Sequence, residues 1–331
     1  HYPLRRQRQM CIRDRLKFNT LKSFLVLAVL ISVQALQGQT QEEDEHGVHG
    51  RSEEYVAPTD PQVLEKLDKW GNQKFGMLIH WGVYSVPGIM ESWNLCSEAW
   101  IDRDSTIAYN DYKKWYWNLD KIFNPVNFDP DSWADAAEAA GMKYVVFTTK
   151  HHDGFNMFDT QQTDYKITNG PFQNHPKANV AKYVFDAFRK KDFMIGAYYS
   201  KPDWHSQYFW WDKYATPNRN ANYDIEKYDW RWNKFKEFTY NQIEELMTDY
   251  GSVDILWLDG GWVRPKETVN DEVRAWGAPI PDFSQEIDMP KIAAMAREKQ
   301  PGIIFADRTV HGPYENLSLI HISEPTRRTP I

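Results

Sequence analysis

Val253-Asp254-Ile255-Leu256-Trp257-Leu258-Asp259 runs directly into Gly260-Gly261-Trp262. The run is short, apolar and β-prone, and it ends at a carboxylate followed by two glycines, which reads as a buried strand closing into a tight turn. Period-two geometry puts Trp257 and Asp259 on one face. Upstream, Trp230 to Tyr250 has helical spacing and stops at Gly251. Before it lie a strand at Phe193 to Ser200, a helix at Val180 to Lys191 and a strand at Lys143 to Thr149. Further back come a helix at Pro130 to Ala140, with Asp129 or Asp131 as cap and Gly141 as stop, and an apolar run from Phe75 to His80. Downstream, a helix at Met289 to Lys299 is followed by Pro301 and a strand at Ile303 to Asp307. Strands alternating with helices predict an α/β fold with a parallel sheet. Polar residues gather where the strands end, as in a TIM-like (β/α)-barrel. A doubly wound sheet also binds ligands at that edge, but no glycine-rich phosphate loop is present.

The chain has 331 residues, a net charge of -7 and 15% aromatic residues, including 15 Trp and 18 Tyr. Mild acidity with no basic stripe argues against a nucleic-acid partner. Many of the rings belong to a core, yet aromatic faces also stack on sugars. With only Cys11 and Cys96, a disulfide framework is not expected. Leu16 to Gln41 reads as an export signal: Lys17 and Lys22, then an apolar run from Phe24 to Val33 too short to span a bilayer, then Gly38 before Gln39. A periplasmic or secreted protein is therefore expected, with no membrane span after cleavage. Residues 1–15 and 317–331 resemble translated sequencing-adapter sequence. The expected organisation is a non-native leader at 1–15, a signal peptide at 16–38, a linker at 39–60, a partial barrel at 61–316 and a non-native tail at 317–331.

Asp259 is poorly explained by packing alone. A retaining glycosidase needs such a carboxylate to attack the anomeric carbon. His151 and His152, in Thr148-Thr149-Lys150-His151-His152-Asp153-Gly154-Phe155, follow another strand. Neighbours on a strand point to opposite faces, and no His or Cys cluster accompanies the pair, so no metal is expected. Strand-end histidines can donate hydrogen bonds to sugar hydroxyls. His80 ends the first strand, with Glu91 and Trp93 in its loop. Of Tyr198 and Tyr199, Tyr198 should face inward with Gly196 and Ser200. Arg308 follows the last strand.

Four segments occur in order: Phe75 to Pro87 with His80-Trp81-Gly82, Lys150 to Phe155, Tyr198-Tyr199-Ser200 with Trp204, and Trp257 to Trp262. Together they resemble glycoside hydrolase family 29, the α-L-fucosidases, from about Glu65 to Asn316. The resemblance implies a catalytic (β/α)-barrel, usually followed by a β-sandwich. It also implies hydrolysis of terminal α-L-fucose from fucosylated glycans with retention, without a cofactor. It assigns Asp259 as nucleophile and His80, His151, His152 and Tyr198 to the fucose pocket. Glu91 and Trp93 match a sugar-holding Glu-Trp, with Glu98 and Trp100 competing because that loop varies in length. Arg308 matches an arginine that orders the acid/base side. The family's acid/base is a Glu shortly after that arginine. Here Glu315 is the nearby candidate, and the chain as written is expected to end before the true one and to be inactive. Two rival readings are a non-catalytic fucose-binding protein of the same fold and a metal-dependent barrel hydrolase.

Overall fold

The computed structural model describes residues 58–307 except 99, 102, 105, 217 and 276. The expectations for 1–57 and 308–331, including the signal peptide, Arg308 and Glu315, lie outside the described residues. Five strands form one parallel sheet in the order β1-β2-β3-β4-β5: Gly76–Ile79, Tyr144–Lys150, Met194–Ser200, Ile255–Asp259 and Ile304–Asp307. Sequential parallel neighbours with a helix in each crossover build the wall of a (β/α)-barrel. Helix α1 (Pro61–Gln73) precedes the sheet. Helices α2 (Tyr109–Trp117) and α3 (Pro130–Ala139) lie between β1 and β2, α4 (Val180–Arg189) between β2 and β3, and α5 (Asp229–Asp249) between β3 and β4. Helices α6 (Asp271–Ala275) and α7 (Met289–Lys299) precede β5. Asp129 takes the N-cap position of α3 without a side-chain cap bond; instead the Ser132 hydroxyl donates to the Asp129 carbonyl at 3.0 Å.

Alternation sorts the apolar strand residues into two cores. Ile195, Ala197, Tyr199, Leu256, Leu258 and Phe305 point outward to the helices, where α4 presents Val184, Phe185 and Phe188. Val146, Met194, Tyr198, Ile255, Trp257, Ile304 and Ala306 point inward. Trp70 of α1 joins this inner cluster and meets Tyr144 edge-on at 5.6 Å, so α1 stoppers the N-terminal end of the strands.

The connections are asymmetric. Those returning to the N-terminal ends of strands, 140–143, 190–193, 250–254 and 300–303, are short. Those leaving the C-terminal ends, 80–108, 151–179, 201–228 and 260–288, are long. In a barrel, the long loops build the site. Among the described residues, no helix is long and apolar enough to cross a membrane.

Candidate active site at the C-terminal ends of the strands

Alternation along β4 delivers Asp259 to the inner face at the strand's last position, 8% exposed. Its backbone then turns through Gly260 at φ +96°, a conformation that suits glycine. The Gly260 N–H donates to Asp259 Oδ1 at 2.7 Å, and the Tyr198 hydroxyl donates to Oδ2 at 2.6 Å. Burial and the neighbouring Asp259 push the Tyr198 phenol well above its ordinary pKa, so it remains a donor. Tyr199, one position on, faces outward and donates to Gln242 of α5 at 2.8 Å.

His151 and His152 both reach this site, contrary to the expectation that adjacent residues must diverge. The reason is a register shift near the end of β2. Thr148 pairs with Tyr198 and Lys150 with Tyr199, so an extra residue, Thr149, is inserted as a bulge. The Thr149 hydroxyl donates to the Tyr198 carbonyl at 2.6 Å, and its own carbonyl accepts from Met157 N–H at 2.8 Å. β2 then ends at Lys150, and the two histidines lie on a turn rather than a strand. Their ring centroids are 4.3 Å apart. His152 Nε2 lies 3.8 Å from Asp259 Oδ2. His151 shares a short hydrogen bond through Nδ1 with the Ser92 hydroxyl, and its Nε2 is 3.9 Å from Glu91 Oε2. Burial first, then the neighbouring His152 and His80, hold the His151 pKa well below its ordinary value. A neutral ring keeps one N–H donor and one acceptor nitrogen. His80 Nδ1 bonds Thr148 Oγ1 at 2.6 Å, and its ring meets Tyr198 edge-on at 4.8 Å.

Indoles complete the wall. Trp93 contacts Trp204, Trp262 and His152 at centroid separations of 5.4, 5.6 and 5.1 Å. The two Glu-Trp pairs sit in different surroundings. Glu91 faces His151 from a strained backbone at φ 28°, whereas Glu98 is consumed by Arg219. The guanidinium grips Glu98 through Nε at 2.8 Å and a terminal nitrogen at 2.6 Å, and the Trp100 indole donates to the same carboxylate at 2.7 Å. These bonds outweigh burial and lower the Glu98 pKa to about 2. Arg219 in turn lies over Trp93 and Trp262, at 4.7 and 4.9 Å.

The structure therefore brings Asp259, His80, His151, His152, Tyr198, Trp93 and Glu91 to one end of the sheet. Ser92, Thr148, Trp204, Trp262 and Arg219 also stand at this end of the sheet, beyond the residues expected there from the sequence. Trp204 and Trp262 follow strand ends closely, which is a signal for them. Ser92 and Thr148 carried no signal of their own. One ligand atom each from His151, His152 and Asp259 lies within 4.8 Å of the others, a spacing that could hold a cation. Tyr198 already bonds Asp259, and Ser92 already bonds His151.

The alpha-L-fucosidase family model matches residues 44–330. Plasma alpha-L-fucosidase from Homo sapiens is 28% identical over 215 residues, covering 62% of this chain and 42% of that protein. Tissue alpha-L-fucosidase from Rattus norvegicus is 28% identical over 237 residues, covering 69% and 47%. Among solved structures, alpha-L-fucosidase isoenzyme 1 from Paenibacillus thiaminolyticus superimposes with a TM-score of 0.54 at 31% identity, covering 74% of this chain and 50% of that one. An unliganded alpha-L-fucosidase from Lactobacillus casei gives 0.52 at 27%, covering 74% and 70%. The chain spans less than half the length of these curated relatives.

Proposed function

The chain belongs to the alpha-L-fucosidase family, and on that premise we propose that it carries the fucose pocket and the nucleophile of a retaining α-L-fucosidase. The observation that carries this reading is Asp259: a carboxylate at a strand end, held by Tyr198 and Gly260, beside His152 and an indole wall. Asp259 attacks the anomeric carbon as the glycosidic bond breaks and the leaving oxygen takes a proton from the acid; the fucosyl-enzyme is then hydrolysed by water that the same group deprotonates, freeing fucose and the Asp259 carboxylate. Tyr198 steadies the attacking carboxylate. His80, His151, His152 and Glu91 offer donors and acceptors to the sugar hydroxyls, and Trp93 offers an apolar face. The proton donor belongs after β5, where Arg308 and Glu315 stand in the sequence. Retaining enzymes set the two carboxyls about 5–5.5 Å apart. Related fucosidases have been solved with an iminocyclitol inhibitor and with 4-nitrophenyl-α-L-fucopyranoside, which fits a fucosylated glycan as the substrate class here. Export by the segment Leu16 to Gln41 would place the activity in the periplasm or outside the cell, which fractionation of expressing cells would test.

A 2-fluoro-α-L-fucosyl fluoride tests the nucleophile separately from the acid, because fluoride leaves without protonation. Mass spectrometry of the treated full chain should find the sugar on the peptide containing Asp259. A folded chain that binds fucose-shaped ligands yet gains no adduct would overturn catalysis in favour of a binding protein.

A further inference from the structure

We propose that the buried Lys150–Asp203 ion pair is a positioning device, which ties the loop after β2 to the loop after β3 and so fixes His151, His152 and Trp204 around the sugar. The inference rests on the functional reading above and adds a part that makes no contact with the reacting atoms. Lys150 is the last residue of β2, 0% exposed. The Thr149 bulge shifts it by one position, out of the inward series and onto the outer face with Tyr199, whose ring lies 4.1 Å from Nζ. There Nζ meets Asp203 Oδ2 at 3.3 Å. Asp203, 2% exposed, uses its other oxygen to accept from the backbone N–H groups of His205 and Ser206 at 3.1 and 2.8 Å, which folds its own loop into a turn. The same oxygen leaves no room at Gly154: a Cβ there would sit 2.1 Å from Oδ1, and the backbone is at φ +79°. One carboxylate thus contacts both loops, immediately beside the functional side chains on each. Where the loops meet, Trp204 N–H donates to the His152 carbonyl at 2.8 Å, and the two rings lie 5.2 Å apart.

Two charges this deep are a weak source of net stability, because desolvation consumes much of their attraction. Their geometric consequence is larger: a lysine tethered to the neighbouring loop cannot follow strand alternation, and the residues after it are aimed accordingly. A small misplacement of pocket groups costs far more in recognition than in folding.

The test uses the full chain and an L-fuco-configured iminocyclitol as probe. Lys150→Met alone strands a buried carboxylate and can unfold the protein, so the informative variant is Lys150→Met/Asp203→Asn. It removes the ionic link between the loops, leaves no unpaired charge and keeps an acceptor for His205 and Ser206. The double variant should melt close to wild type but bind the probe about tenfold more weakly or worse. In histidine ring NMR spectra, the His151 and His152 signals should move and broaden. Asp203→Asn alone leaves the Lys150 ammonium buried with an amide NH2 in place of its carboxylate oxygen, so it should melt below both wild type and the double variant. Wild-type affinity together with unchanged histidine signals in the folded double variant would overturn the inference. Failure of the wild type itself to bind would instead count against the proposed function, and the histidine spectra would then decide the positioning role alone.

Discussion

The two ends of the same strands obey one rule and serve opposite purposes. At the N-terminal end, inward alternation delivers Met194, Ile255 and Ile304 onto Trp70, a hydrocarbon plug. At the C-terminal end, it delivers Thr148, Tyr198, Ser200 and Asp259, each hydrogen-bonded. The plug gains its free energy from area removed from water. The polar end can contribute little net stability, because each buried donor or acceptor exchanges a water for a partner. Damage to the first should therefore appear in folding, and damage to the second in recognition and rate.

Asp259→Ala gives the widest separation of the two. Measured, like the histidine variants below, in a version that carries the acid/base glutamate, hydrolysis of an aryl α-L-fucoside should fall by about 10,000-fold or more, with the thermal transition preserved. Azide should restore part of the activity and yield a β-fucosyl product, identifiable by NMR; near-normal turnover would remove Asp259 from the role of nucleophile. Trp70→Ala is the mirror case. It should cost about 3–5 kcal/mol in denaturant unfolding and leave the probe affinity of the folded fraction unchanged. A loss of affinity there would mean the two ends are coupled. His151→Ala and His152→Ala should each weaken catalysis by about 100-fold while costing less in stability than Trp70→Ala. If they unfold the chain and the folded fraction keeps its specific activity, these histidines belong to the scaffold.

The smallest expected effect is a slope with pH. Burial raises the Asp153 carboxyl from its ordinary 3.8 to about 7, despite bonds from the Tyr116 hydroxyl and the Phe155 N–H. Between these values the folded state holds a proton that the unfolded chain has released, so Asp153 makes stability fall as pH rises through that window. His151 acts in the other direction. Its folded pKa is depressed, so stability is lost as pH drops below about 6.5, the unfolded value. From about pH 4 to 6.5 the two slopes oppose each other, at about 1.4 kcal/mol per pH unit for each full proton. Asp153→Asn should expose a stability that climbs with pH across this range. Denaturation midpoints that run parallel to wild type would show that Asp153 is already ionised in the fold.

β2, β3 and β4 were legible in the sequence because they are buried on both faces and lead into turn-forming residues; β3 and β4 were placed to within two residues. Helix α1 was not, since only Val63 and Trp70 of its residues are buried, too few to mark an apolar helical face. The pocket histidines and Asp259 were legible as strand-end polar residues. Their convergence was not, because a bulge is defined only by the partner strand's register. The different surroundings of Glu91 and Glu98 depend on Arg219, which lies 121 residues beyond Glu98 along the chain.

The extra residue at Thr149 has a consequence for length as well as geometry. Chain beyond a bulge is out of phase with chain before it. Were Thr149 drawn into the ladder as an ordinary strand residue, every following residue would slip by one step. Lys150 would then turn its charge toward the barrel axis, and the paired histidines would lose their common aim. Deleting Thr149 is a different change: Lys150 then directly follows the inward Thr148 and stays on the outer face opposite Tyr199, so the Lys150–Asp203 pair should survive while the Thr149 bonds to Tyr198 and Met157 are lost. Thr149→Val, which keeps the count and the backbone bond to Met157, should retain most of the probe binding.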